Sequence, residues 1–264
     1  MVKSVKKSAA KETKPIKKVI RKSEKQLKEK HGMRVTADLT IAGIEGRLSP
    51  EEFESVGNLI TGVVQDFMVE KYGLREVWLP LSDNPDSPKV NIFISPDLFT
   101  NFSACLVLIQ GTGPVRAGIW ARGACMNHGL NMGSVLPMLE YAKKNGMSVV
   151  VMNPNMSRDA KGREISCSST MKEHCKYVWG RFVNTNPAAK LAVIAHSAGG
   201  RCFSELFSSY RRDFLTRVDA LVFTDACYHM MFDKMNKTEK AKMEKIGIHY
   251  VSGTDPKVGR PLKG

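Results

Sequence analysis

Ten residues, Leu191-Ala-Val-Ile-Ala-His-Ser-Ala-Gly-Gly200, constrain this chain more than any other stretch. A short apolar run ends in His196-Ser197-Ala198-Gly199-Gly200, and a segment with helical spacing follows. A strand that turns sharply into a helix with a serine at the apex is a nucleophile elbow. The neighbours of the serine must be small, because the turn is strained and larger side chains would clash. Ala195 stands where the usual pattern has its first glycine and is small enough for the same turn. At the end of a parallel strand, Ser197 would project its hydroxyl into the crevice where open α/β sheets bind ligands. The Ala198 amide would donate to an oxyanion there. The plainer alternative is a strand-to-helix turn whose serine only caps the helix.

The surrounding pattern predicts the fold that such a turn requires. From residue 104 onward apolar runs alternate with amphipathic segments: 104–109 then 135–144, 148–152 then 171–182, 191–195 then 202–210, 218–223 then 234–245, and finally 248–251. Short apolar runs bounded by Gly and Pro suit strands buried on both faces, and their alternation with helices predicts a mostly parallel sheet with helices on both faces. Upstream, Ser49-Pro50-Glu51-Glu52 is a helix start, and that helix is expected to end near Gly73. Residues 76–81 and 90–94 read as an antiparallel hairpin around the turn-rich 82–88. The whole is expected to be one α/β-hydrolase-like domain over residues 33–264, with the polar stretch 155–169 as a mobile loop.

Charge separates the remainder. Residues 1–30 hold twelve Lys or Arg and three Asp or Glu, a net +9 out of +14 for the chain. Residues 1–32 therefore read as a disordered basic tail, with a thin-faced basic helix conceivable over 16–30, suited to nonspecific attraction to nucleic acid, anionic lipid or acidic protein. Lys17-Lys18 and Arg21-Lys22 form a paired basic cluster of the nuclear-import kind. No signal-peptide core and no apolar run long enough to span a bilayer occur. The six cysteines lack two-residue spacing, so neither a zinc site nor a thioredoxin motif is expected, and reduced thiols in a nuclear or, alternatively, cytoplasmic protein are the default. No metal or cofactor is expected.

Ile109-Gln110-Gly111-Thr112-Gly113 follows the first parallel strand, where hydrolases place a glycine-rich loop that supplies the second oxyanion amide. It lacks the lysine of a P-loop and the full dinucleotide pattern. Arg116 and Trp120 follow; they are suited to binding an anion or stacking a base, or else to a carboxylate pair and the core. Two aspartates compete as the acid: Asp225, just after the run 218–223, and Asp255, after 248–251, each equally readable as a turn or cap residue. The base is the weak point. The fold's triad order is serine, acid, histidine, yet no histidine follows Asp255. His229 reaches the serine only by an unusual route, His196 should point away, and His249 falls within a predicted strand. Without a base, a serine hydroxyl is a poor nucleophile at neutral pH.

Together, Gly111-Thr-Gly-Pro-Val-Arg-Ala-Gly-Ile-Trp-Ala-Arg122, Val151-Met-Asn-Pro-Asn155, Tyr177-Val-Trp179, Ala195-His-Ser-Ala-Gly-Gly200 and Thr224-Asp225 resemble the Argonaute-binding Arb domain family, also called the cotranscriptional regulator family. The resemblance covers residues 74–256. It implies an α/β-hydrolase-like domain of nuclear proteins that bind Argonaute or chromatin regulators in small-RNA silencing, heterochromatin formation or splicing control; a related domain is appended to some histone deacetylases. The family's nucleophile position falls on Ser197. Gln110 stands where some relatives have histidine, and the family's C-terminal histidine segment has no counterpart, which implies a divergent member or a fragment. The leading expectation is an interaction protein for an Argonaute-type or chromatin partner. The rival is a serine hydrolase in which Ser197 attacks, the Thr112 and Ala198 amides hold the oxyanion, and Asp225 or Asp255 orients a histidine. A third is nonspecific nucleic-acid binding through residues 1–30 alone.

Overall fold

The computed structural model describes residues 22–82 and 84–253. Helix α1 (Lys22–His31) leads into a two-stranded antiparallel ribbon, β1 (Arg34–Val35) and β2 (Ile41–Ala42). Helix α2 (Pro50–Glu70) starts on a reciprocal cap: Ser49 Oγ accepts from the Glu52 amide at 3.2 Å, and Glu52 Oε2 accepts from the Ser49 amide at 2.8 Å. Proline at the first turn and the two early glutamates favour the same start. The helix ends at a left-handed glycine, Gly73, with φ +70°.

The strands β3 (Arg75–Leu79), β4 (Val90–Ile94), β5 (Ala104–Ile109), β6 (Ser148–Val151), β7 (Lys190–His196), β8 (Val218–Thr224) and β9 (Gly247–Tyr250) form one sheet, in the order β3-β4-β6-β5-β7-β8-β9. β4 runs antiparallel to both of its neighbours, and every other pairing is parallel. Helices α3 (Arg122–His128), α4 (Leu130–Gly133), α5 (Leu136–Lys144), α6 (Met171–Val178), α7 (Gly199–Ser209), α8 (Arg211–Thr216) and α9 (Lys237–Ile246) fill the crossovers. This is a mostly parallel α/β sheet with helices on both faces and an antiparallel hairpin at its start, the strand order of an α/β-hydrolase sheet.

Two cores result. On one face α2, α3 and α5 bury Val56, Ile60, Phe67, Cys125 and Leu139 against Leu106, Leu108 and Val149. On the other, α6, α7, α8 and α9 bury Val178, Phe203, Phe207, Phe214 and Met243 against Val107, Val193, Leu221 and Phe223. β4 and β6 are buried at every position and β5 at all but its first residue, as continuous apolar runs predict. From β7 onward that prediction fails. In β7 Leu191, Val193 and Ala195 are buried, whereas Ala192 and Ile194 are only half-covered, and Ile248 and Tyr250 of β9 are exposed. The α2–α5 layer stops short of these strands. It leaves an apolar hollow of about 510 Å³ between the sheet and the Met138 and Tyr141 side of α5.

Within the basic leader, Lys22–His31 forms the helix offered over 16–30, but packed on α2 rather than free, with Leu27 fully buried and His31 Nε2 2.8 Å from Ser55 Oγ; residues 1–21 lie outside the described residues. A second segment differs from expectation. The stretch 155–169 is anchored, because Ile165 and Ser168 are buried and the Ile165 amide donates to the Ser157 carbonyl. Its polar composition concealed those anchors. The cysteines are unpaired, and burial pushes the Cys105 and Cys125 thiols up to about 12. Among the described residues no helix is long and apolar enough to cross a membrane.

Candidate functional site

β7 ends at His196, and the chain reverses at Ser197, whose φ of +50° is left-handed. For a residue with a side chain that conformation costs about 1–2 kcal/mol, so its surroundings must hold it. The Ser197 amide donates to the Thr224 carbonyl at 2.9 Å. The Ser197 carbonyl accepts from the amides of Gly200 at 3.0 Å and Cys227 at 3.1 Å. The adjoining glycines leave no slack. A Cβ at Gly199 would sit 2.8 Å from the carbonyl oxygens of Ile109 and Gln110. One at Gly111 would sit 2.7 Å from Ser197 Cβ, and one at Gly200 would sit 3.0 Å from Ala226 Cβ. The serine is thus wedged between the end of β5 and the end of β8, with α7 starting directly beneath it.

The glycine loop beside it is braced from behind. Gln110 is fully buried, and its Nε2 donates to the Arg116 carbonyl at 2.9 Å, closing the loop on itself. Asn155 Nδ2 donates to the Gly111 carbonyl at 2.6 Å. The Asn153 side chain accepts from the Ala117 amide at 3.1 Å and donates to Asn91 Oδ1 at 2.7 Å, and Asn91 donates to Glu76 Oε1. The Asn153 amide in turn donates to Nε2 of His174 at 2.9 Å. That bond requires the neutral ring with its proton on Nδ1, which is 3.2 Å from Ser168 Oγ. Full burial pushes the His174 pKa down to about 3. Sequence reasoning assigned no role to Gln110, Asn153, Asn155 or His174. The signal available was Asn153-Pro-Asn155, amides immediately after a buried strand, which carry local hydrogen-bonding power where a loop begins.

The structure brings Gly111, Thr112, Gly113, Ala198 and Ser197 together at one end of β5 and β7. Neither the Thr112 nor the Ala198 amide has a hydrogen-bond acceptor among the described residues, and Thr112 is exposed. Trp120 is half-buried and meets the His196 ring edge-on, with centroids 6.0 Å apart. Among the described residues no carboxylate lies within ion-pair distance of Arg116; its Nη1 donates to the Val115 carbonyl at 3.0 Å. Burial and, after it, the Arg122 charge push its pKa below the ordinary guanidinium value. The carboxylate pair that stood as the alternative for Arg116 is instead made by Arg122, which grips Glu54 with two nitrogens.

The acid and histidine side is differently arranged. Asp225 also has a left-handed φ, +47°, and its Oδ1 accepts from the Ser252 amide at 2.6 Å and the Ser252 hydroxyl at 2.8 Å. The amide bond is the chief reason its pKa falls below the usual carboxylate range; the hydroxyl and the neighbouring imidazoles of His196 and His249 act the same way. His196 turns from the serine, its Nδ1 lying 3.0 Å from both the carbonyl and the hydroxyl of Thr224. His249 Nε2 accepts from the Ala226 amide at 3.1 Å, which leaves Nδ1–H to donate to Tyr228 Oη at 3.0 Å. No imidazole hydrogen-bonds to Ser197 Oγ among the described residues. His229 opens a 3₁₀ turn, His229–Lys234, but its side chain and the whole of Asp255 lie outside the described residues. No group of three His, Cys, Asp or Glu among the described residues is placed to hold a metal.

Comparison with known proteins adds a lineage to this geometry. A model of the Arb2 domain matches residues 51–158 and 156–257. The chain is 29% identical over 262 residues to a cotranscriptional regulator ARB2A homolog of Xenopus tropicalis, covering 80% of this chain and 62% of that protein. It is 27% identical over 261 residues to cotranscriptional regulator ARB2A of Homo sapiens, covering 80% and 63%. The chain therefore spans somewhat under two thirds of the length of these relatives. Among solved structures, a histone deacetylase from Saccharomyces cerevisiae aligns with a TM-score of 0.48 and 14% identity, covering 78% of this chain and 85% of that one.

Proposed function

The chain belongs to the Arb2 domain family, and from that premise we propose that it is a nuclear interaction protein. On this reading it uses a hydrolase-like scaffold to engage a partner in cotranscriptional regulation or RNA silencing, of the Argonaute or chromatin-regulating kind. One observation carries this reading. The elbow keeps its strained geometry, while the two imidazoles described beside it, His196 and His249, spend their hydrogen bonds on Thr224, Ala226 and Tyr228. A serine whose neighbouring histidines are committed elsewhere is held as a shape, not driven as a nucleophile. The relatives named as cotranscriptional regulators support the nuclear setting. Affinity purification of the full chain from nuclear extract is expected to recover silencing or chromatin proteins. Recovery of neither class, from extract in which the chain is folded, would overturn the proposal.

A second reading is favoured by a specific observation. Ser197 sits at +50° beside two amides, on Thr112 and Ala198, that have no acceptor among the described residues, as an acyl-transfer site requires. A fluorophosphonate probe separates the two readings. Labelling that disappears in Ser197→Ala would establish a serine hydrolase, whereas absence of labelling in folded protein supports the scaffold.

A further inference from the structure

On the face of the sheet opposite α2, a second concavity of about 190 Å³ lies between the starts of α6 and α7 and the 3₁₀ turn after β8. Its charged lining is Lys172 from α6, Arg201 and Glu205 from α7, and Lys234 from the 3₁₀ turn; Ser204, Cys227 and Tyr228 complete it. Three cations therefore face one carboxylate, and none of the four forms an ion pair among the described residues. Some exposed cations elsewhere are paired, such as Lys71 and Lys144 to Glu140 and Arg163 to Asp159, but many are not, so what marks this site is placement: three cations from three elements lining one hollow. A local excess of two positive charges around a hollow, drawn from three separate elements, is a recognition feature for a compact dianion.

The walls are fixed in advance. The carbonyl of Lys234 accepts from Arg211, and Arg211 is clamped by Glu239, a 1% exposed carboxylate that also caps α9. The Cys227 amide donates to the Ser197 carbonyl, Tyr228 Oη bonds to His249, and Ser204 Oγ donates to the Gly200 carbonyl at 2.9 Å. Binding there need not order the backbone first, which removes one of the usual costs of association.

From these features we infer that this pocket is a receptor for a phosphomonoester carried on a protein partner, such as a phosphoserine side chain. A phosphomonoester carries about −1.5 to −2 charge and three strong acceptor oxygens, which matches a surplus of two cations lining one hollow. A nucleic-acid backbone carries one charge per phosphate along an extended track and calls for a stripe of cations. Here the cations surround a hollow. Glu205 offsets part of that attraction for any anion, so neutralising it is expected to tighten binding.

The test uses the full chain and three probes: N-acetyl-O-phosphoserine amide, inorganic phosphate and a twenty-residue oligothymidylate, followed by amide chemical shifts of Arg201, Cys227 and Lys234. The phosphoserine amide is expected to shift these resonances saturably and more tightly than inorganic phosphate. Lys172→Ala and Lys234→Ala, both at exposed positions, are each expected to weaken it at least five-fold. Glu205→Gln is expected to tighten it about two-fold, a gain that a misfolded variant would not produce. Inorganic phosphate binding as tightly as the phosphoserine amide would overturn the assignment to a protein-borne group. Oligothymidylate shifting the same resonances and losing affinity in the lysine variants would overturn it in favour of nucleic acid. Absence of any saturable shift in the folded wild-type chain would remove the site.

Discussion

Ser197 and Asp225 sit at the ends of adjacent parallel strands with nearly the same left-handed backbone, φ +50° and +47°, yet the two are supported in opposite ways. Around Ser197 the restraint is steric and dry: glycines within van der Waals contact of carbonyls, a buried Gln110, and behind them a chain of buried amides ending on His174. Around Asp225 it is polar and wet. The residue is exposed, and its carboxylate bonds to an exposed Ser252. Position at the first is set by packing together with backbone hydrogen bonds to Thr224, Gly200 and Cys227, and at the second by side-chain hydrogen bonds at the surface. The same backbone strain is thus stored at both residues, but only at the serine is it enclosed by close-packed backbone.

That contrast can be broken at several points. The largest effect is expected at Gly199→Ala. The new Cβ would meet two backbone carbonyls at 2.8 Å, and backbone cannot rotate aside, so urea denaturation should show a loss of about 2–3 kcal/mol. Losses below about 0.5 kcal/mol would mean that the elbow is far softer than its packing implies. The buried chain behind the loop comes next. His174 has a native pKa of about 3 against an ordinary value of 6.5. Between those values the unfolded state binds the extra proton, so stability rises with pH and is lost on acidification from 6.5 towards 3, by about 1.4 kcal/mol per pH unit. In His174→Gln that part of the slope should vanish when ΔG of unfolding is followed from pH 7 to 4. Smaller and opposite in sign, Ser197→Gly should stabilise the chain by about 1 kcal/mol in thermal or chemical denaturation, because glycine adopts φ +50° without strain. A destabilisation there would show that the hydroxyl, not the backbone, is what the surroundings hold. The smallest effect is expected at Asp225→Asn. Asparagine tolerates the left-handed region and the site is exposed, so stability should change by no more than about 0.5 kcal/mol.

Much of this architecture was legible in advance for a physical reason. The runs 90–94, 104–109 and 148–151 are continuous because α-helices cover both their faces, and such runs have no other common use in a chain of this size. The elbow was legible because few backbones need a serine followed by three small residues. What escaped was set by contacts distant in sequence. Nothing in Lys22–His31 advertises that Leu27 meets α2, because one buried leucine in a basic segment gives no periodic signal. The anchoring of 155–169 rests on Ile165 and on Ser168 meeting His174, single residues within a polar stretch. Gln110 and Asn153 look like ordinary strand-end amides until the fold brings Arg116, Ala117 and Asn91 against them. Arg122, rather than Arg116, took the carboxylate, because the fold brings its guanidinium against Glu54 of α2, a contact distant in sequence.

The exits of the three last strands are tied in sequence: the Ser197 amide to the Thr224 carbonyl, and the Asp225 amide to the Tyr250 carbonyl. Each strand thus hands its reversal to the next like linked rungs. The open margin of the sheet, where Ile248 and Tyr250 are exposed, is therefore only two hydrogen-bonded steps from the Ser197 reversal.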